Sequence, residues 1–343
     1  MRHKGTKSFE FITRNGNVSL QGTYYHCRCS NSKSVNVLVS SGRKFSRIAN
    51  ELVVRHAASD SYHQASVYLR KDFNIRVSGE TLRRHILAVS GHIRQNRNSC
   101  TEEFAWDEIV GKKLYGYADG VMTNIRKEGW KECKLLRYED EDGNRISHRA
   151  LLGPIQDFGI LARREAMSIG ASKSSELVFL MDGAQGFHNH IKKNLPLAIQ
   201  VVDYWHVCQH IGECANHLHG QDTPQSHNWR SKYCRMLRHS GPTKLLGSLR
   251  IIKSRLKSRR KIESLSKLIN FLTRRADRIE YPKLLKMGYR VDSGPIESSC
   301  KNVVQRRLKG PGMRWSRAGA TAMLEVRCAL HSDIWQKVIN KSA

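Results

Sequence analysis

Four carboxylates in this chain stand where chemistry, more than solubility, would use them. The run ELVFLM has the apolar character of a strand covered on both faces, and it stops at Asp182. AIQVV stops in the same manner at Asp203, about twenty residues on. In open sheets with helices on both sides, ligands meet the carboxyl ends of the strands, so two such strands bring both aspartates to one edge. Asp119, in YADGVMT, is a third candidate, although Asp-Gly between apolar residues is equally the signal for a two-residue hairpin. Glu297, in VDSGPIESSCK, is the fourth. There Ser293 can cap a helix and Pro295 suits its first turn, where a carboxylate is favoured by the helix dipole and by Lys301 four residues on. That structural role suffices by itself. The chemistry open to such a set is phosphodiester cleavage and transfer. Two hard cations a few ångströms apart activate the nucleophile and stabilise the leaving oxygen, and magnesium is typically held by a few carboxylates together with substrate phosphate oxygens.

Histidines form a second pattern. WHVCQHIGECANHLHG sets His206, His210, Glu213 and His217 on one stripe of a helix, beside an apolar stripe of Val207, Ile211, Cys214 and Leu218. Two histidines at i and i+4 suit a zinc protease helix, but Val207 stands where its glutamate would follow the first histidine. The stripe is either a solvated or sheet-edge face or a functional histidine beside the carboxylates. For the latter role His206, one turn after Asp203, is the best placed. His188 and His190 read as helix-surface residues. The nine cysteines are scattered and odd in number, as reduced thiols would be. Cys27 and Cys29 form the one close pair, without the further ligands that zinc requires.

The elements that must position these residues follow from periodicity. TYYHCRC and SVNVLVS suggest short strands near the start. SRIANELVVRHAA, SYHQASVYLRKDF and ETLRRHILAVSGHI each repeat apolar residues at helical spacing, the last behind the cap Ser78. Three helices with a short break before the third fit either a helix-turn-helix unit or a plain bundle with a basic face. In the first case Thr81, Arg83, Arg84 and His85 lie early on the recognition helix. LYGYADGVMT, WKECKLLRY and ISHRALL then read as an antiparallel meander, the last two joined by the turn EDEDGN, followed by alternating helices and strands up to His219. The organisation expected is a strand-rich segment over 1–40, a helix-turn-helix-like region over 41–100, the first part of an α/β core over 110–219, a basic helical insertion over 220–288 and core-completing helices over 289–343.

With 59 Lys and Arg against 30 Asp and Glu in 343 residues, the net charge is +29 and the pI about 10.1. Such self-repulsion is unusual for an enzyme of small molecules, whereas a polyanion converts it into binding free energy by releasing counterions. Nucleic acid is the expected partner; a ribosomal-type or membrane-surface protein is the other reading. No apolar run approaches the roughly 18 residues of a membrane span, and MRHKGTKSFEF lacks the core of a signal peptide. A cytoplasmic, nucleoid-associated protein is expected.

Four stretches in fixed order, YADGVMTNIRKEGWKECKL, LVFLMDGAQGFHNHI, VDYWHVCQHI and DSGPIESSCKNVVQRRLKGPGMRWSRAGA, resemble bacterial insertion-sequence transposases of the DDE class, the Kra-type group allied to Mutator-like elements. The resemblance runs from about residue 40 to 330. It implies a ribonuclease H-like mixed sheet with helices on both faces, whose first strand, fourth strand and late helix carry Asp119, Asp182 and Glu297. These would bind two magnesium or manganese ions. Asp203 and His206 match the Asp-x-x-His signature of Mutator-like relatives and become auxiliaries. Relatives carry a cysteine-containing ribbon near the start, of which Cys27 and Cys29 alone remain, so zinc is not expected. The implied activity is hydrolysis and strand transfer at the ends of an element, on double-stranded DNA and in a homo-oligomer. Arg306, Arg307, Arg314 and Trp315 would touch DNA, an exposed helix face being the other reading of Arg306 and Arg307. A non-catalytic DNA-binding protein and a ribonuclease H-like nuclease or resolvase are the alternative functions.

Overall fold

The computed structural model describes residues 2–26, 33–36, 44–99, 109–144 and 146–342; Cys27 and Cys29 lie outside them. An antiparallel sheet opens the chain: β1 (Arg2–Thr13), β2 (Gly16–His26) and β3 (Lys33–Asn36), in that order. β1 is a strand the sequence reading did not single out, because RHKGTKSFEFIT is too polar to show alternation; its pairing along β2 makes it one.

Three helices follow, α1 (Arg47–Ser59), α2 (Tyr62–Phe73) and α3 (Gly79–Ser99). Ser46, Ser61 and Ser78 each accept a backbone N–H of the first turn, a cap that stabilises a helix by about 1 kcal/mol. α2 stops at Asn74, whose left-handed backbone (φ 51°) ends the helix.

The second sheet contains β4 (Lys113–Ile125), β5 (Gly129–Asp140), β6 (Ser147–Leu151), β7 (Glu176–Met181) and β8 (Ile199–Val202), in the order β6-β5-β4-β7-β8. β4, β7 and β8 are parallel neighbours, while β5 runs antiparallel to β4 and to β6. Alternation along β4 feeds two cores. Leu114 and Ala118 pack with Phe158 and Ala162 of α4 (Ile155–Ser168) and with Phe187 and Ile191 of α5 (Gln185–Asn194). Tyr115, Tyr117 and Val121 face the other side, toward α6 (Tyr204–His219), α7 (Pro224–Arg255), α8 (Arg259–Thr273), α9 (Tyr281–Lys286) and α10 (Gly294–Ser299). α10 runs into a π-helical turn over Cys300–Gln305 and then α11 (Arg306–Leu308); α12 (Arg317–Leu330) and α13 (Trp335–Ser342) close the chain. The fold is therefore mixed α/β, a central mixed sheet flanked by helices. No helix among the described residues is long and apolar enough to cross a membrane.

The N-terminal helices are not held at arm's length from this core. Val53, Val54, Leu69, Leu82 and Ile86 belong to the same buried cluster as Met323 and Val326 of α12. Arg307 and Arg327 donate to the Ala57 and Ala58 carbonyls at the end of α1, where cations complement the helix dipole. Beneath α3 a buried quartet adds to the tie. Arg97 pairs with Glu165 of α4 at 3.2 Å, and Arg149 of β6 pairs with Glu165 at 3.3 Å and with Glu325 of α12 at 3.8 Å. Burial works against ionisation of Glu165, but the two guanidinium groups outweigh it and hold its carboxyl below the usual range.

Candidate active site and basic surface

Register brings the strand ends together. Ala118 pairs with Met181 and Met181 with Val202. The next residue on each strand is an aspartate, so Asp119, Asp182 and Asp203 stand in a row across the carboxyl edge, roughly 4.8 Å per strand step. The hairpin alternative for Asp119 is excluded, since Asp119 lies opposite Leu135 well inside the β4–β5 ladder and the turn comes after Ile125.

Each aspartate has a distinct setting. Asp119 accepts the Gly120 N–H at 2.7 Å on one oxygen and the Cys300 thiol at 3.3 Å on the other. Its pKa is raised, chiefly by burial and further by the charge of Asp182. Burial also pushes the Cys300 thiol up, with Asp119 adding to the effect, so the sulfur keeps the proton it donates. Asp182 fixes the turn into α5 by accepting the Ala184 N–H at 2.8 Å. Between them Gly183 has φ +89°, and a Cβ there would meet Val202 at 3.0 Å and Arg275 at 3.1 Å, so glycine is required. Arg275, from the helical region after β8, donates to the Gly183 carbonyl at 2.9 and 2.6 Å. Asp203 is fully buried and caps α6: it accepts the His206 backbone N–H at 2.8 Å, His206 Nδ1 at 2.9 Å and the Ser293 N–H at 2.5 Å. Burial opposes its ionisation, but those hydrogen bonds prevail and lower its pKa. His206 is raised in turn, first by its bond to Asp203 and further by the charges of Asp203, Asp182 and Asp119.

Glu297 is exposed in the first turn of α10, a helix packed against β4 and β5. It lies one turn before Cys300, which connects that helix to Asp119. Neither local role expected for this turn is observed. The Ser293 hydroxyl makes no cap bond, its backbone N–H having been recruited by Asp203, and Glu297 makes no ion pair with Lys301. The helix is held instead by Arg137, which donates to the Pro295 carbonyl at 3.4 Å and to Ser299 Oγ at 3.1 Å, and by His148 Nε2 against Ser299 Oγ at 2.9 Å. Arg137 is itself fixed by the buried Glu139, which also binds Arg290 and the Tyr117 hydroxyl.

Among the described residues, no three His, Cys, Asp or Glu side chains gather closely enough to hold a metal ion. Asp119 and Asp182 are neighbours, and Glu297 stands over the same face without joining them in such a group. Two adjacent carboxylates do suit magnesium, which keeps several waters and takes one or two protein carboxylates plus phosphate oxygens.

The expected DNA contacts divide. Thr81 is spent on the start of α3, against Ser78. Arg83 and Arg84 are exposed and both bind Glu80. Arg306 and Arg314 are exposed, but Arg307 and Trp315 are buried at 3% and 8% exposure, so Arg307 is not on an exposed helix face. Its guanidinium lies between the rings of Tyr62 and Trp315, 5.0 and 4.8 Å from their centroids. In the histidine stripe, His210 packs on Phe271 and pairs with Glu213 at 3.4 Å.

Sequence reasoning passed over Cys300, Arg137, Arg275 and Arg126. A signal existed for Cys300, because ESSC puts it one helical turn from Glu297. The arginines act through long-range contacts that no local spacing encodes. No protein-family model matches the chain, and no curated protein matches it.

Proposed function

We propose that the chain is a DDE-type DNA transposase with a ribonuclease H-like core, hydrolysing a phosphodiester at an element end and joining the freed 3′ hydroxyl to target DNA. The observation that carries this reading is the row of Asp119 and Asp182 on adjacent parallel strands, with the Glu297 helix tied to Asp119 through Cys300. Asp119 belongs to the first strand of its sheet and Asp182 follows the fourth, as the motif resemblance implies. The carboxylates of Asp119, Asp182 and Glu297 would hold two magnesium or manganese ions, and such a pair supplies an activated nucleophile and a stabilised leaving oxygen when bound. Asp203 orients His206 through two hydrogen bonds, so that the imidazolium faces the carboxylates and a substrate phosphate. The partner in this reading is double-stranded DNA, with two copies of the chain pairing two ends, and the excess of cations supports it.

The test is magnesium-dependent nicking and strand transfer on a duplex carrying the element's own end. Wild-type chain is expected to nick and to join a pre-cut end, and Asp182→Asn to do neither. Cutting that survives Asp182→Asn overturns the assignment. Nicking without joining reduces it to a ribonuclease H-like nuclease, and DNA binding without cutting to a non-catalytic DNA-binding protein.

A further inference from the structure

A cleft of about 410 Å³ lies where α2, the start of α3, the β4–β5 turn and the loop before α12 meet, and Tyr62, Arg83, Arg126, Arg307, Arg314 and Trp315 line it. No Asp or Glu is among the lining residues. Arg83 is tethered by Glu80 at 2.7 Å, whereas Arg126, Arg307 and Arg314 make no ion pair among the described residues. Arg307 is the informative one. It is 3% exposed, its closest polar partners are the Ala57 carbonyl at 3.4 Å and the Met313 sulfur at 3.8 Å, and the rest of its surroundings are two aromatic rings. A buried cation without an anion is costly, and ring faces offset only part of that. The cleft therefore lacks a negative charge that its walls are built to receive. The first turns of α2 and α12 also begin there, at Ser61 and Ser316, adding positive helix ends to the arginines.

Its place relative to the carboxylates is fixed by one strand. Ile125 bridges to Trp315, and the Arg126 N–H donates to the Trp315 carbonyl at 2.7 Å. Asp119 lies six residues earlier on β4, a run of roughly 20 Å at about 3.3 Å per residue. In duplex DNA that is about six base pairs at 3.4 Å each.

We infer that this cleft grips a backbone phosphate of bound DNA about six base pairs from the bond at Asp119 and Asp182, as a sequence-independent clamp between α3 and the carboxylates. The inference rests on the function proposed above for its distance, and on the cleft alone for its ligand. Arg126 and Arg314 are exposed, so their removal spares the core. With full-length chain, an arbitrary 30-base-pair duplex and EDTA in place of divalent metal, Arg126→Ala/Arg314→Ala is expected to bind about tenfold more weakly at physiological salt. Its salt dependence of log K should flatten by roughly 2, about one unit per lost phosphate contact, while the double lysine variant keeps most of the wild-type slope. Ethylation of the phosphate about six base pairs from the cut should weaken wild type but not the alanine variant. Unchanged affinity and slope in the alanine variant overturn the clamp, as does inorganic phosphate binding at the cleft with duplex affinity unaffected by the substitutions. Because binding is read without metal, loss of cleavage alone removes the transposase reading and leaves the clamp standing.

Discussion

The ends of β7 and β8 are the same device used in two ways. Each is an apolar strand that stops at an aspartate, in register with the other and followed by a helix. Asp203 has both oxygens committed, to His206 and to Ser293, and no exposed surface. Asp182 commits one oxygen to Ala184, stays partly exposed, and has no hydrogen bond to the other oxygen among the described residues. A carboxylate can take a ligand only through lone pairs that the fold has not already filled. The comparison assigns Asp182 to chemistry and Asp203 to construction, a division that two strand-end aspartates in a sequence do not reveal.

Substitution should separate the two sharply. Asp182→Asn is expected to cut magnesium-dependent nicking by about a thousandfold or more, ~4 kcal/mol of transition-state stabilisation, with a urea midpoint close to wild type. Equal losses of stability at both positions would erase the distinction. Asp203→Ala should cost about 3–5 kcal/mol of stability, because a buried charge pair is broken and two backbone donors are orphaned; chemical denaturation reads this directly. Asp203→Asn keeps the capping oxygen and should recover much of that loss, while the His206 pKa, followed by NMR, falls toward its ordinary value as the countercharge disappears.

Smaller effects test what holds the neighbouring helix. Burial pushes the His148 imidazole down to about 3. Its neutral form therefore contributes stability that is whole above the unfolded value of roughly 6.5 and is lost as pH falls from there toward 3. Between pH 7.5 and 5.5 this group alone should remove about 1 kcal/mol, a loss that His148→Gln abolishes; parallel pH profiles for the two proteins would refute it. Ser299→Ala, which takes away the hydroxyl shared by Arg137 and His148, should cost about 1 kcal/mol and lower nicking more than its stability loss explains if Glu297 depends on that support.

Much of the carboxylate edge was legible in the sequence because strand ends announce themselves. ELVFLM and AIQVV are short apolar runs broken by a charged residue, and their parallel pairing follows from the helices between them. The helices of the N-terminal region were equally plain from their serine caps and apolar spacing. The role of Asp119 was not, since Asp-Gly in a strand and Asp-Gly in a turn share the same local pattern, and the pairing of Gly120 with Lys134 distinguishes them. Burial of Arg307 and Trp315 escaped prediction for a related reason: RRLKGPGMRW reads as exposed basic loop until Tyr62, more than two hundred residues earlier, supplies the other side of the sandwich. The Glu297 helix showed its start but not its supports, which arrive from β5 and β6.

The π-helical turn after α10 sets a rotational phase. Arg306 N–H reaches back five residues to the Lys301 carbonyl, so one residue more than an α-helix needs is absorbed there. Upstream of it Glu297 and Cys300 are presented to the sheet; downstream Arg307 and Leu308 are presented to the interior. Each residue of an α-helix advances its face by about 100°. Deleting Asn302 alone would thus restore a regular helix and rotate one of those two groups away from its neighbours, a frameshift in three dimensions that leaves every functional side chain present.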